Sequence, residues 1–130
     1  MKLNHDCVRS IMIHVEENLH YGQYISFNDV KLDDYTHEEI LYAADKLLEV
    51  GYFEGKKQTF SDGSEPAIRV TALSWVGHQF LDNIRDDGVW KETKKVLSKF
   101  SSVSLSFVGS IASQVITTLI QNQLGQPGHP

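Results

Sequence analysis

Asp82, Arg85, Asp86 and Asp87 are the residues whose types and spacing come nearest to chemistry. On a helix, Asp82 shares a face with Arg85 and Asp86, three and four positions on, and carboxylates so placed offer hard oxygen ligands to a divalent cation. A structural role is the simpler expectation: Arg85 bridges Asp82 within the helix, and Asp87 caps the next helix ahead of Gly88. No other carboxylate pair has a spacing that marks an acid and base couple. His5, His14, His20, His37, His78 and His129 form no His-x-x-x-His pair, and Cys7 has only His5 nearby, so no zinc-ligand spacing is present. Gly-x-Ser-x-Gly elbows and glycine-rich phosphate loops are also missing. The expectation is a protein without catalytic residues, metal or cofactor.

Binding is the remaining chemistry, and two groups of cations are candidates for contact with nucleic acid. Lys56, Lys57 and Arg69 cluster on a hairpin pattern, and Lys91, Lys94, Lys95 and Lys99 form a row that could follow a phosphate backbone. The plainer use of each is a strand edge kept unpaired by lysine and a solvated helix face whose charge suits a C-terminus. Twelve basic residues against seventeen acidic ones give a net charge of -5, which repels nucleic acid and anionic membrane at long range. A single cysteine excludes an internal disulfide, and the start of the chain has no basic and apolar leader pattern, so a reducing cytoplasm is the expected location.

These side chains must be placed by secondary structure. Ile40, Ala43, Ala44, Leu47, Leu48 and Val50 recur at three- and four-residue steps and predict a helix with one apolar stripe. Thr36 and Glu39 form a capping box at its start, and Gly51 is the expected left-handed stop. This helix carries Glu38, Glu39, Asp45 and Glu49 against Lys46 alone. Residues 52–60 and 67–73 then predict a hairpin around Asp62-Gly63, with Pro66 at a strand start. Earlier, Val8, Ile11, Met12, Val15 and Leu19 predict a first helix between a cap at Asn4 and a stop at Gly22. Between Gln23 and Asp34 no helical period exists; residues 24–27 and 30–32 read as short extended pieces. A helix begins at Trp75 after Ser74, and Gly77 in its first turn allows close backbone packing.

Helix, glycine, strand and hairpin in this order make the fold class α+β: a winged helix-turn-helix-like domain over residues 1–87, with helices and a small antiparallel wing sheet. The middle helix of an ordinary helix-turn-helix is replaced by an extended segment. The string from Gly77 to Asp87, followed by Val89-Trp90 and Thr93-Lys94, gives GHxFLDxIRDDxVW. With Asp6-Cys7-Val8-Arg9 and residues 47–51, it resembles an uncharacterised family of phage and prophage proteins, a domain of unknown function with a winged-helix-like core. The likeness covers most of residues 1–100. It implies architecture and a mobile-element origin, and brings no catalytic or binding residues with it.

Additional C-terminal helices are expected over residues 88–125. Val89, Trp90, Thr93, Val96, Leu97 and Phe100 form the inward side of the first, opposite the lysine row. From Phe100 onward no Asp, Glu, Lys or Arg occurs. In that stretch Val108, Ile111, Ala112, Val115, Ile116, Leu119 and Ile120 stripe a helix whose other side is Ser, Thr and Gln. Seven polar residues within 103–120 argue against a membrane span. Val108, Ile111, Val115, Leu119 and Ile120 are instead the expected packing or dimer face, and residues 126–130 an unstructured tail. The function expected is a non-enzymatic interaction or regulatory module that pairs with itself and with a host or phage protein. The alternative is a DNA-binding regulator using the wing and the lysine row.

Overall fold

The Asn4 side chain accepts the backbone N–H of Cys7 at 3.1 Å, and this cap starts α1 (His5–Asn18). In the computed structural model, which describes residues 1–125, α1 buries Cys7, Val8, Ile11, Met12 and Val15. The expectation for residues 126–130 lies outside the described residues. Gly22, at φ 83°, turns the chain into β1 (Ile25–Ser26), which leads directly into a single 3-10 turn, Phe27–Asp29. Phe27 is fully buried, with its ring 5.6 Å from that of Phe53. No strand forms at residues 30–32, where the short alternation finds no neighbour to pair with.

α2 (His37–Glu49) begins with the full capping box: Thr36 Oγ1 accepts from Glu39 N, and Glu39 Oε1 accepts from Thr36 N, both at 3.1 Å. Its far end closes by two reversed bonds, Gly51 N–H to Leu48 O at 3.1 Å and Tyr52 N–H to Leu47 O at 2.9 Å, with Gly51 at φ 81°. Ile40, Ala43, Ala44 and Leu47 are buried. Val50, expected to face inward, is 54% exposed. At 100° per residue it lies roughly 80° from the centre of the stripe, on its border.

β2 (Phe53–Gln58) and β3 (Ala67–Leu73) form the hairpin, and β1 joins on the other side of β3, so the antiparallel order is β1-β3-β2. The loop between them spans residues 59–66, longer than a two-residue turn, with Gly63 at φ 81°. A register shift between Glu54 and Gly55 leaves Thr71 as the extra residue on β3. At Gly55, a Cβ would lie 2.0 Å from the Arg69 carbonyl oxygen, so only glycine fits. Ile68 and Val70 turn toward the core, while Arg69 and Thr71 face solvent.

Ser74 Oγ accepts from Gly77 N at 3.0 Å and donates to the Gly51 carbonyl, tying α3 (Trp75–Ile84) to the end of α2. A Cβ on Gly77 would sit 2.1 Å from Tyr52 O, which confirms the close approach. α4 (Asp87–Leu97) is capped by Asp86, whose Oδ2 accepts from Val89 N at 2.9 Å. This corrects the assignment to Asp87, which is the first helical residue. Arg85 bridges Asp82 at 2.8 Å as expected. Phe100 is 59% exposed because α4 ends at Leu97 and its periodicity stops there. α5 (Leu105–Leu124) follows, with Val108 and Ala112 buried. The chain forms two compact units, Met1–Leu81 and the residues from Asp82 onward, parted within α3.

Candidate functional site

The exposed side of α2 is less free than its composition suggests. Glu39 is used by the capping box and by Asn4 Nδ2, which donates to its Oε2 at 3.0 Å. These bonds, the Thr36 backbone first, hold its carboxyl below the usual glutamate range. Glu49 pairs with Lys46 at 2.8 Å, and Lys46 also lies 5.4 Å from the centre of the Tyr42 ring. Asp45 is joined at 2.9 Å by Lys57 from β2, a partner that periodicity alone could not supply. Glu38 remains exposed. The helix is still net acidic, but its charges mostly work inside the fold.

The three wing cations do not converge. Lys57 stands opposite Ile68 and reaches Asp45, whereas Lys56 stands opposite Arg69, on the solvent side of the sheet. Arg69 lies 5.1 Å from the centre of the Tyr24 ring, an aromatic neighbour delivered by β1 pairing. Lys91, Lys94 and Lys95 on α4, and Lys99 just beyond its end, are all exposed, and Lys95 bonds Glu92 at 3.0 Å. The row therefore exists as a surface feature, in which Lys95 is engaged by a carboxylate.

An exposed apolar surface runs along α4, α5 and the segment between them. Val96, Phe100, Val103, Phe107 and Ile111 line a groove of about 520 Å³. A second, of about 530 Å³, continues along Val96, Ile111, Val115 and Leu119. Phe107 is 64% exposed and Leu119 52%. Of the five residues assigned to the packing face, Val108 is buried, Ile111 and Val115 are half-buried, and Leu119 and Ile120 are exposed. Sequence reasoning missed Val103 and Phe107. Phe107 lies one position off the stripe, and its only signal was an aromatic residue in a run without charges.

Among the described residues no cluster of three or more His, Cys, Asp or Glu side chains is placed to hold a metal ion, and no helix is long and apolar enough to cross a membrane. Cys7 is buried, and burial, with the Glu39 charge second, pushes its thiol up to about 11, so it stays protonated and a poor nucleophile at neutral pH.

Residues 2–104 match the model of the family described as hypothetical protein DUF2513, and the chain belongs to that family. It is similar to an uncharacterized protein of Haemophilus influenzae, 29% identical over 124 residues that cover 92% of this chain and 99% of the relative. No solved structure matches it.

Proposed function

We propose that this member of the DUF2513 family is a non-enzymatic interaction module on a winged-helix scaffold, paired with a second copy of itself through the apolar face of α5. The exposed groove along Phe100, Phe107, Ile111, Val115 and Leu119 is the observation that carries the proposal. An apolar surface of this extent on a water-facing helix marks a contact that association would cover. Its chemistry favours a copy of the same chain. A two-fold axis brings a surface against itself, so any charge there would meet its like, and α5 carries none. At 1.5 Å per residue its twenty residues offer roughly 30 Å of contact length.

The scaffold reading rests on element order: helix, short strand, turn, helix, then hairpin, with the sheet ordered β1-β3-β2. The 3-10 turn at Phe27–Asp29 stands where the middle helix of an ordinary helix-turn-helix would be. A phage or prophage setting follows from the likeness of the GHxFLDxIRDDxVW string, and a reducing cytoplasm suits the buried lone thiol. Light scattering on the full chain tests self-association: the mass is expected at twice 14.7 kDa, and a monomer at micromolar concentration refutes it.

The exposed lysines of α4, with Lys56 and Arg69 on one sheet face, favour a second reading as a DNA-binding regulator. Phosphate contacts would make affinity fall steeply with salt, by about 0.9 log units per log unit of salt for each contact. Under the preferred reading, the chain does not retard duplex DNA even at low salt.

A further inference from the structure

Ser26, Arg69 and Lys56 are partners in one row across all three strands, Ser26 opposite Arg69 and Arg69 opposite Lys56. Directly opposite residues share a sheet face, so a hydroxyl, a guanidinium and an ammonium stand in line on the solvent side, at strand spacings of about 4.8 Å. Like charges placed in this way destabilise a sheet unless a carboxylate relieves them. No relief is present. Although Met1–Leu81 holds thirteen acidic side chains, among the described residues neither Lys56 nor Arg69 forms an ion pair, and the Ser26 hydroxyl has no hydrogen-bond partner. Arg69 is nonetheless held in place: its guanidinium lies 5.1 Å from the centre of the Tyr24 ring, which is 55% exposed. Contact with an aromatic face leaves guanidinium N–H groups free to donate. A local conflict retained in an otherwise consistent fold marks a place where a ligand would resolve it.

The row itself specifies the ligand. It offers two positive charges and three donor groups within about 10 Å, twice the strand spacing. A phosphate monoester carries a charge of roughly -1.5 to -2 and three acceptor oxygens, which matches both features. A carboxylate or a phosphodiester brings a single charge. A long polyanion meets the repulsion of a unit whose seven basic and thirteen acidic residues leave it at -6, so one compact anion is favoured over a nucleic-acid backbone. We infer that the outer face of the sheet binds a phosphate monoester, with Arg69 and Lys56 donating to its oxygens and Ser26 completing the set. No residue of α5 takes part, so this site is independent of the proposed pairing of copies.

The test is titration of the isotope-labelled full chain with inorganic phosphate and with a phosphoserine peptide at constant ionic strength, followed by amide chemical shifts. Shifts are expected at Ser26, Lys56 and Arg69 with both. Tighter binding of the peptide, with further shifts at Tyr24 and Thr71, assigns the monoester to a partner protein; equal binding assigns it to a small metabolite. Arg69→Gln and Lys56→Gln are each expected to weaken binding about fivefold. Lys56→Glu sets a carboxylate opposite Arg69, so the urea midpoint is expected to rise while phosphate binding is lost. No shift along the row with either probe, equal shifts from acetate or dimethyl phosphate, equal shifts from duplex DNA without terminal phosphates, or a Lys56→Glu midpoint no higher than that of the parent overturns the inference. Phe107→Asp with Leu119→Glu is expected to leave phosphate binding unchanged, so loss of self-association and loss of this site read out separately.

Discussion

Residues Met1–Leu81 carry seven basic and thirteen acidic side chains and build an apolar core from a sheet and helices with hydrogen-bonded caps. Those from Asp82 onward carry five basic and four acidic ones, none beyond Lys99, and leave much of their longest helix uncovered. In the first unit, polar groups at the ends of elements are answered locally: Asn4 caps α1, Thr36 and Glu39 close on each other, and Ser74 joins α3 to Gly51. In the second, Asp86 caps α4 well, but Ser104 makes no side-chain cap bond to α5. The contrast separates a unit whose element ends are bonded locally from one whose last helix leaves Phe107, Leu119 and Leu124 exposed. Stability and association should therefore respond to mutation in different regions.

The largest expected effect is on association. Phe107→Asp combined with Leu119→Glu places two charges on the apolar face and should weaken self-association by about 4 kcal/mol, because unpaired charge at a buried contact is costly. Sedimentation should show a monomer whose urea midpoint for the first unit is unchanged; a persisting dimer breaks the comparison. Next is Gly77→Val, which forces side-chain atoms onto Tyr52 O and should cost about 3 kcal/mol in urea unfolding while leaving the mass of the folded protein alone. An unaltered midpoint would show that the α2–α3 junction is not tight.

Cap deletions sharpen the same contrast at smaller scale. Thr36→Ala should destabilise by about 1 kcal/mol, and Ser104→Ala by close to nothing, since only the first removes a cap bond to a backbone N–H, whereas Ser104 Oγ meets the exposed Ser106 hydroxyl at 3.2 Å. Equal losses in thermal unfolding would contradict the local account of the caps. The smallest effect is one of pH. Three carboxyls lie below their ordinary values: Glu39 through Thr36 and then Asn4, Glu65 through Asn28 and then His37, and Asp62 through Ser64. Because their folded values are lower than their unfolded ones, the stability they add is full above the ordinary glutamate value of 4.5 and is lost as pH falls through the depressed values. All three lie in Met1–Leu81, so its urea midpoint should decline through that range before that of the second unit.

Much of this contrast was legible in the sequence where local chemistry decides the outcome. The Thr36 and Glu39 box, the stop at Gly51, the close contact at Gly77 and the Arg85–Asp82 bridge depend on residues near in sequence or on the absence of a Cβ. What escaped depends on partners brought together by tertiary structure. Nothing near Lys57 in the chain points to Asp45, and Tyr24 meets Arg69 only through β1–β3 pairing. The place of β2 at an edge likewise appears only once β3 occupies the centre of the sheet. Boundaries gave the remaining errors: Val50 was assigned inward although it lies on the border of the stripe, at the C-cap of α2, and Phe100 because the helical period was carried past the end of α4, where it no longer holds.

Hydrogen exchange of the full chain, followed by mass spectrometry over a dilution series, tests the central claim most directly. If α5 is covered by a second copy, protection across Leu105–Leu124 should fall on dilution while that of Met1–Leu81 stays constant. Protection of α5 that is the same at every concentration would contradict it.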